Sequence, residues 1–236
     1  MLRILMDNIY TNQQYLKANP TWHDEDSPWK ASQVMALLTR NRLAVKKVAE
    51  IGCGAGGVIK ALADQMGSSA EFKGYDISPD AIELAAKHRR PGLDYSCEDF
   101  LQSPEQHDLL LVIDVIEHIP DYLGFTAKCQ TKARYKIYHI PLDIHVSSVL
   151  RARFVVGRRT VGHLHYFSAE SALDTLTDTG HKVIDYMYTD GGVALAKLHP
   201  SFRRTLANLP RRLVGLFSKK LSARWFGGYS LLVLAE

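Results

Sequence analysis

A glycine-rich turn and two carboxylates form the pattern in this chain best suited to holding a nucleotide-like molecule. Gly52, Gly54, Gly56 and Gly57 follow the apolar run Val48-Ala49-Glu50-Ile51 and precede a segment of helical spacing, 58–66. Glycines let the chain turn tightly and bring its backbone close to a ligand. The turn opens onto a helix N-terminus, whose N–H groups and dipole attract negative charge. Gly52, Gly54 and Gly57 fit G-x-G-x-x-G, while Gly52, Gly54 and Gly56 fit G-x-G-x-G, and a plain strand–helix turn fits both. Asp76, in Gly74-Tyr75-Asp76-Ile77-Ser78, ends the next apolar run. A carboxylate there can accept hydrogen bonds from both ribose hydroxyls. Ser78 is the better N-cap for a helix starting at Pro79, which leaves Asp76 for the ribose. Asp99, in Cys97-Glu98-Asp99-Phe100, follows a third run and suits an adenine amino group above an apolar floor of Ile77 or Phe100.

A second set of residues could handle a proton. His118, His163 and His165 are candidate bases, with Glu117 beside the first, because imidazole titrates near neutral pH. In an extended segment His163 and His165 point the same way, and Glu117 and His118 point opposite ways if a strand runs through them. Each histidine also has a purely structural reading, in a loop or at a helix entry. The four side chains are of metal-binding types, but their spacing follows no regular ligand pattern and no metal is expected. Cys53 sits where a helix N-terminus can lower a thiol pKa, yet reads as a small filler; Cys97 and Cys129 read as structural. Trp22, His23, Trp29 and Lys30 can form a lid, with Lys30 or Tyr10 meeting a ligand carboxylate, or can simply pack the first helices onto the domain.

The elements that must position these groups alternate. Strand patterns cover 45–51, 71–77, 93–97, 108–115 and 135–140, and helix patterns cover 58–66, 79–89 and 121–132. Such alternation implies βαβ units and a doubly wound α/β fold with a mainly parallel sheet. The continuous run Leu109-Leu110-Leu111-Val112-Ile113 fits a central strand covered on both faces. In front lie helices at 2–17 and 27–40, the latter with Ser27-Pro28 as cap and first turn. After Pro141 an irregular insertion, 142–166, carries Arg151, Arg153, Arg158 and Arg159 with His145, His163 and His165. A helix over 168–179 capped by Ser168, a strand at 181–189, basic helices over 193–226 and a last strand at 229–235 complete the chain.

At 236 residues this reads as one domain, 1–236, with a lid at 1–40 and insertions at 142–166 and 193–226 covering the acceptor side. Three cysteines, no apolar leader among the first ten residues and no run of about 18 apolar residues point to a reducing, cytoplasmic setting. The net charge of +4 is concentrated: no acid lies between Asp190 and Glu236, while Lys197, Arg203, Arg204, Arg211, Arg212, Lys219, Lys220 and Arg224 do. That segment reads as a solvated face docked on its apolar side, as a membrane-surface helix, or as a cover that attracts an anionic acceptor.

The four motifs together resemble the class I S-adenosylmethionine-dependent methyltransferases of the small-molecule type: Val48 to Gly56, Gly74 to Ser78, Cys97 to Phe100, and Asp108 to Ile119 with its Glu117-His118 pair. Gly162-His163-Leu164-His165-Tyr166-Phe167-Ser168 extends the likeness. The resemblance implies a seven-stranded sheet of order 3-2-1-4-5-7-6, its last strand antiparallel. It implies S-adenosylmethionine as cofactor, with Gly52 and Gly54 beside its methionine part, Asp76 on the ribose, Ile77 and Phe100 flanking adenine, and Asp99 on the adenine amine. Asp114 and Val115 would line the junction of cofactor and acceptor, and Glu50 would orient the loop and the cofactor amino group. Cys53, Gly56 and Ser78 complete that set, with Lys30 on the cofactor carboxylate. No Asn-Pro-Pro-Tyr signature is present, so a nucleic-acid acceptor is not expected. The expected activity is O- or N-methylation of a polar or anionic small molecule. Alternatives are a lipid-linked acceptor reached through 193–226, a nicotinamide-dependent oxidoreductase, and a non-catalytic scaffold.

Overall fold

The structure is a computed structural model that describes residues 24–194 and 208–236. The helix expected over 2–17, Tyr10, Trp22, His23 and residues 195–207 lie outside the described residues.

The described chain begins with helix α1 (Ser27–Arg40), followed by β1 (Lys47–Ile51), α2 (Gly57–Met66), β2 (Glu71–Asp76), α3 (Pro79–Ala86) and β3 (Leu93–Cys97). Next come β4 (His107–Ile113), α4 (Tyr122–Cys129), β5 (Ala133–Pro141), α5 (Val146–Leu150), α6 (Arg153–Thr160) and α7 (Ala169–Asp178). The chain closes with β6 (Val183–Thr189), the single turn α8 (Gly191–Ala194), α9 (Leu209–Phe217), α10 (Lys219–Phe226) and β7 (Ser230–Ala235). The strands form one seven-stranded sheet of order β3-β2-β1-β4-β5-β7-β6. β7 runs antiparallel between β5 and β6, and the other pairings are parallel.

Side chains alternate across a strand, and the central strands show that period on both faces. Val48, Leu109, Leu111, Ile113, Ile137, Leu232 and Leu234 join one core, against α1, α2 and α3. Ala49, Leu110, Val112, Tyr138, Ile140, Leu231 and Val233 join the other, against α4, α7 and α10. Because both faces are covered, β4 has no polar face to show, which is why its apolar run is unbroken. β1 pairs with β2 on one side and with β4 on the other, so the chain leaves the two carboxyl ends in opposite directions and opens a cleft there.

Three expectations are corrected. The N-cap of α1 is Asp26 rather than Ser27; its carboxylate pairs with Lys30 instead of capping a backbone N–H. β4 stops at Ile113, since Asp114 takes a left-handed conformation (φ 53°) and Ile116–His118 forms a 3-10 turn. The stretch after Pro141 is not irregular: α5 is capped by the His145 side chain, and α6 follows it. Of the basic helices expected over 193–226, the described residues show the turn Gly191–Ala194 and the helices α9 and α10, with Ser218 capping α10. Among the described residues no helix is long and apolar enough to cross a membrane.

Candidate functional site

The carboxyl ends of β1, β2 and β4, with α1 and the segment after Pro141, enclose a cavity of about 530 Å³. That size falls in the range of small-molecule sites. Its wall includes Glu50, Gly52, Cys53, Gly54, Asp76, Ile77, Asp99, Phe100, Asp114 and Val115. It also includes Lys30, Glu117, His118 and His163. Gly56 and Ser78 are buried and are not part of that wall.

The glycine turn is held in a shape only glycine takes without strain. Gly52, Gly54 and Gly56 have φ of 67°, 54° and 80°. A Cβ on Gly52 would lie 2.8 Å from a Val115 methyl, and one on Gly56 would meet the Tyr95 ring. Two carboxylates tie the turn to its neighbours. Glu50 is buried and accepts from the Ile59 N–H at 3.1 Å, inside the first turn of α2. Burial pushes its carboxyl up to about 8. Asp76 accepts from the Gly54 N–H at 2.9 Å through one oxygen and from the Ser78 N–H at 2.9 Å through the other. Each carboxylate oxygen has a second lone pair, so Asp76 can still accept from a ligand. Desolvation raises its pKa despite these bonds. Ser78 caps α3 as expected. Cys53 is a buried filler whose thiol is pushed well above its usual range, by burial first and by Glu50 and Asp76 next.

Two adenine-side expectations divide. Ile77 is 57% exposed at the cavity edge, whereas Phe100 is 1% exposed. Its ring packs on Tyr75 with centroids 4.6 Å apart and on His107 at 5.4 Å. Phe100 is thus a buried part of the cavity wall and Ile77 an exposed one. Asp99 lines the cavity while accepting from the Leu101 N–H at 3.0 Å.

Lys30 differs more. Its ammonium lies 2.9 Å from Asp114 and 3.3 Å from Asp26, and these two carboxylates outweigh burial and raise its pKa. It therefore clamps Asp114 rather than waiting for a ligand carboxylate. The other Asp114 oxygen accepts from His139 Nδ1 at 2.6 Å, and His139 Nε2 lies 3.0 Å from Thr189 Oγ1. His139 and Lys30 outweigh burial and hold the Asp114 carboxyl far below the carboxylate range. This Lys30–Asp114–His139–Thr189 chain is not in the sequence reading. Thr189 comes from the end of β6, 50 residues from His139, and no local spacing signals it. Trp29 meets His139 edge to face at 6.2 Å and so packs on the sheet end.

The proton-handling candidates also separate. Glu117 is fully buried, and neither of its carboxylate oxygens has a hydrogen-bond partner. Burial, then Asp114, pushes its carboxyl well above the usual range. His118 Nδ1 lies 3.2 Å from the Gly162 carbonyl, and its Nε2 lies 3.8 Å from Glu117. Desolvation and the neighbouring His163 lower its pKa to about 4. His163 Nδ1 bonds Asp143 at 2.6 Å, and its ring stands 5.0 Å from that of His118. His165 does not join them: its Nε2 lies 3.2 Å from the Pro120 carbonyl and its ring stacks near Tyr122. The segment is not a regular strand, because the Leu164 and His165 N–H groups both donate to the Glu117 carbonyl. The two histidines consequently face different ways.

The geometry has sequence counterparts among known proteins. Residues 49–134 match the model of a methyltransferase domain. Over those residues the chain is similar to methyltransferase domains, and they span β1 to the start of β5 of the sheet. The chain is similar to a ubiquinone biosynthesis O-methyltransferase of Thiobacillus denitrificans, 32% identical over 121 residues, 46% of this chain and 51% of that protein. A protein of the same description from Actinobacillus pleuropneumoniae serotype 5b is 28% identical over 145 residues, 53% of this chain and 61% of its own length. The matches span between half and two thirds of those relatives. The chain's fold matches magnesium protoporphyrin IX methyltransferase of Synechocystis with bound SAH, at TM-score 0.60 and 16% identity, over 99% of this chain and 97% of that one. It also matches a SAM-dependent methyltransferase of Archaeoglobus fulgidus at TM-score 0.57 and 19% identity, over 87% and 93% of the two chains.

Proposed function

We propose that this chain transfers a methyl group from S-adenosylmethionine to an oxygen of a small molecule. The observation that carries the reading is the single cavity joining the glycine turn and Asp76 at one end to Glu117, His118 and His163 at the other. The named O-methyltransferase relatives support oxygen as the acceptor atom.

The residues present suit this cofactor. A side chain at Gly52 or Gly54 would narrow the path along the turn, and Asp76 keeps accepting capacity for the ribose hydroxyls while its backbone bonds fix its orientation. Asp99 and Ile77 suit the adenine edge and face. Glu50 and Asp114, one held by α2 and the other by Lys30 and His139, suit a cationic amino group. Bound there, the cofactor supplies an electrophilic methyl on a positively charged sulfur. The chain supplies orientation, worth several kcal/mol when reacting atoms are held in line, and a water-poor wall. The acceptor hydroxyl belongs at the Glu117–His118–His163 corner, where groups that take or displace its proton converge. Asp143 fixes the His163 ring for that task.

Isothermal titration with S-adenosylhomocysteine tests the cofactor half. Saturable binding by the wild type, lost in Asp76→Ala, is expected; no binding by the wild type, or binding of NAD(H) in its place, refutes the reading. A methyl-transfer assay on phenolic hydroxyls against amines separates oxygen from nitrogen acceptors.

A second reading concerns where the acceptor resides. Leu150 is 80% exposed, Leu216 81% and Phe217 91%, and Val149, Leu213 and Trp225 are also exposed. Arg151 follows α5, Arg153, Arg158 and Arg159 lie on the adjoining α6, Arg212 lies on α9 and Lys219 on α10, and all six are exposed. α5 and α10 touch, with Ser147 Oγ donating to the Phe226 carbonyl. Apolar side chains among cations suit an anionic membrane surface, which favours a lipid-linked acceptor. Co-sedimentation with anionic vesicles that disappears in high salt supports this reading; no sedimentation at low salt removes it.

A further inference from the structure

We infer that His139 is a positioning residue: held as a doubly protonated imidazolium by Asp114 and Thr189, it fixes Asp114 and, through Asp114, keeps the first turn of α1 on the cavity. The hold on α1 stands on geometry alone; its effect on the methyl-donating cofactor rests on the proposed function.

The protonation follows from counting hydrogens. Thr189 Oγ1 donates to the Ser230 carbonyl at 3.2 Å. A hydroxyl has one hydrogen, so toward His139 Nε2, 3.0 Å away, Thr189 can only accept. Nε2 therefore carries a proton. On the other side of the ring, Nδ1 lies 2.6 Å from one Asp114 oxygen. Lys30 Nζ donates to the second oxygen at 2.9 Å, and an ionised carboxylate has no hydrogen to give. Both ring nitrogens are donors, a state that only the imidazolium provides. The ring is 3% exposed, and a charge so buried must be balanced. Lys30 and His139 alternate with Asp26 and Asp114 in one line of contacts, two cations against two carboxylates. Thr189 from the end of β6 and Trp29 from α1, which also meet the ring, are uncharged.

Asp114 depends on this hold. Its φ of 53° is a conformation that residues with a side chain disfavour and that the surroundings must impose. His139 grips it twice: the Asp114 N–H donates to the His139 carbonyl at 2.9 Å, and the Asp114 carboxylate accepts from the His139 ring. The β4–β5 ladder brings them together, since its register ends on Ile113 opposite His139. The free side of the carboxylate then takes Lys30. Asp26, Ser27 and Lys30 all line the cavity, so this contact seats the first turn of α1 there. The last turn is tied elsewhere, by Arg40 to the Asp185 carboxylate and to the Tyr186 carbonyl. Loss of His139 should therefore loosen one end of α1 and spare the other.

The test starts with the full chain free of ligand. Two-bond 1H–15N correlation at about pH 8 should show one histidine with both ring nitrogens protonated. That signal should be absent from His139→Gln and should lose one proton in Asp114→Asn. Amide exchange, read by mass spectrometry, should rise about 10-fold in the first turns of α1 in His139→Gln and stay unchanged in the last turn. S-adenosylhomocysteine affinity should fall about 10-fold in His139→Gln and in Lys30→Met, and no further in the double variant, because both act through Asp114. A singly protonated His139 in wild type, or unchanged exchange in the first turns of α1 in folded His139→Gln, overturns the inference; so do affinity losses that multiply in the double variant. Should His139→Gln not fold, Lys30→Met, which cuts only the link to α1, must show the same exchange pattern. If protonation and exchange are as expected but wild type does not bind S-adenosylhomocysteine, the hold on α1 stands and the proposed function fails.

Discussion

The two halves of the sheet build the cavity wall by different means. On the β3-β2-β1-β4 side, the cavity wall is made by short turns straight after strand ends, tied by backbone bonds such as Gly54 N–H to Asp76. On the β5-β7-β6 side, long excursions after β5 and β6 supply the wall and the outer surface, with residues brought together across 20 to 50 positions: Asp143 to His163, His139 to Thr189. The first half has a geometry that tolerates little change, with positive φ at Gly52, Gly54 and Gly56 and no room for a Cβ on Gly52. The second leaves apolar side chains and arginines in solvent, as a surface adapted to a variable partner would.

The largest effect should come from cutting the tie in the first half. Asp76→Ala removes the acceptor of two backbone N–H groups and of the ribose; loss of about 2–4 kcal/mol means that calorimetry should show S-adenosylhomocysteine affinity down by 30-fold or more. Next is Gly52→Ala, which combines a positive φ with a methyl 2.8 Å from Val115. Thermal denaturation should show a loss of about 2–3 kcal/mol, and a tolerated alanine would mean that the turn is looser than its contacts imply.

The second half offers a titration. Tyr138 Oη lies 2.8 Å from His181 Nε2 in the core between β5 and α7. Burial, then Lys136, lowers the His181 pKa to about 4 from 6.5. The unfolded chain therefore takes up this proton first as pH falls. The contribution is full above about pH 6.5 and is lost on going down to about 4, at about 1–3 kcal/mol. Urea titrations across that window should show the decline, and His181→Gln should flatten its slope; an unchanged slope would assign the decline to other groups. The smallest effect is on the surface: Leu216→Ser with Phe217→Ser should move stability by less than about 0.5 kcal/mol and leave S-adenosylhomocysteine binding intact, while reducing vesicle co-sedimentation if the membrane reading holds.

The same division governs what could be read in advance. The strands through Ile113, the glycine turn and the Ser78 cap were legible because hydrophobic period, glycine content and capping are signals close in sequence. The places where reading failed depend on what arrives from afar. Lys30 looked available until Asp114, 84 positions away, took its charge. His163 and His165 looked equivalent until the Glu117 carbonyl gathered the backbone between them. Arg211 belonged to a basic face by composition, yet it is buried, packed against Gly192 and Gly228 and donating to the Gly227 carbonyl.

By itself the sequence determined the doubly wound sheet, its order through family likeness, and the glycine turn and Asp76 that line one end of the cavity. Hydrophobic period, glycine φ and strand-end carboxylates are local properties, written wherever they act. Only the tertiary structure decided which charges are already spent, which histidines meet, and that a buried carboxylate stands unpartnered between two of them. Pairing and desolvation depend on distance in space, and chain spacing does not encode that distance.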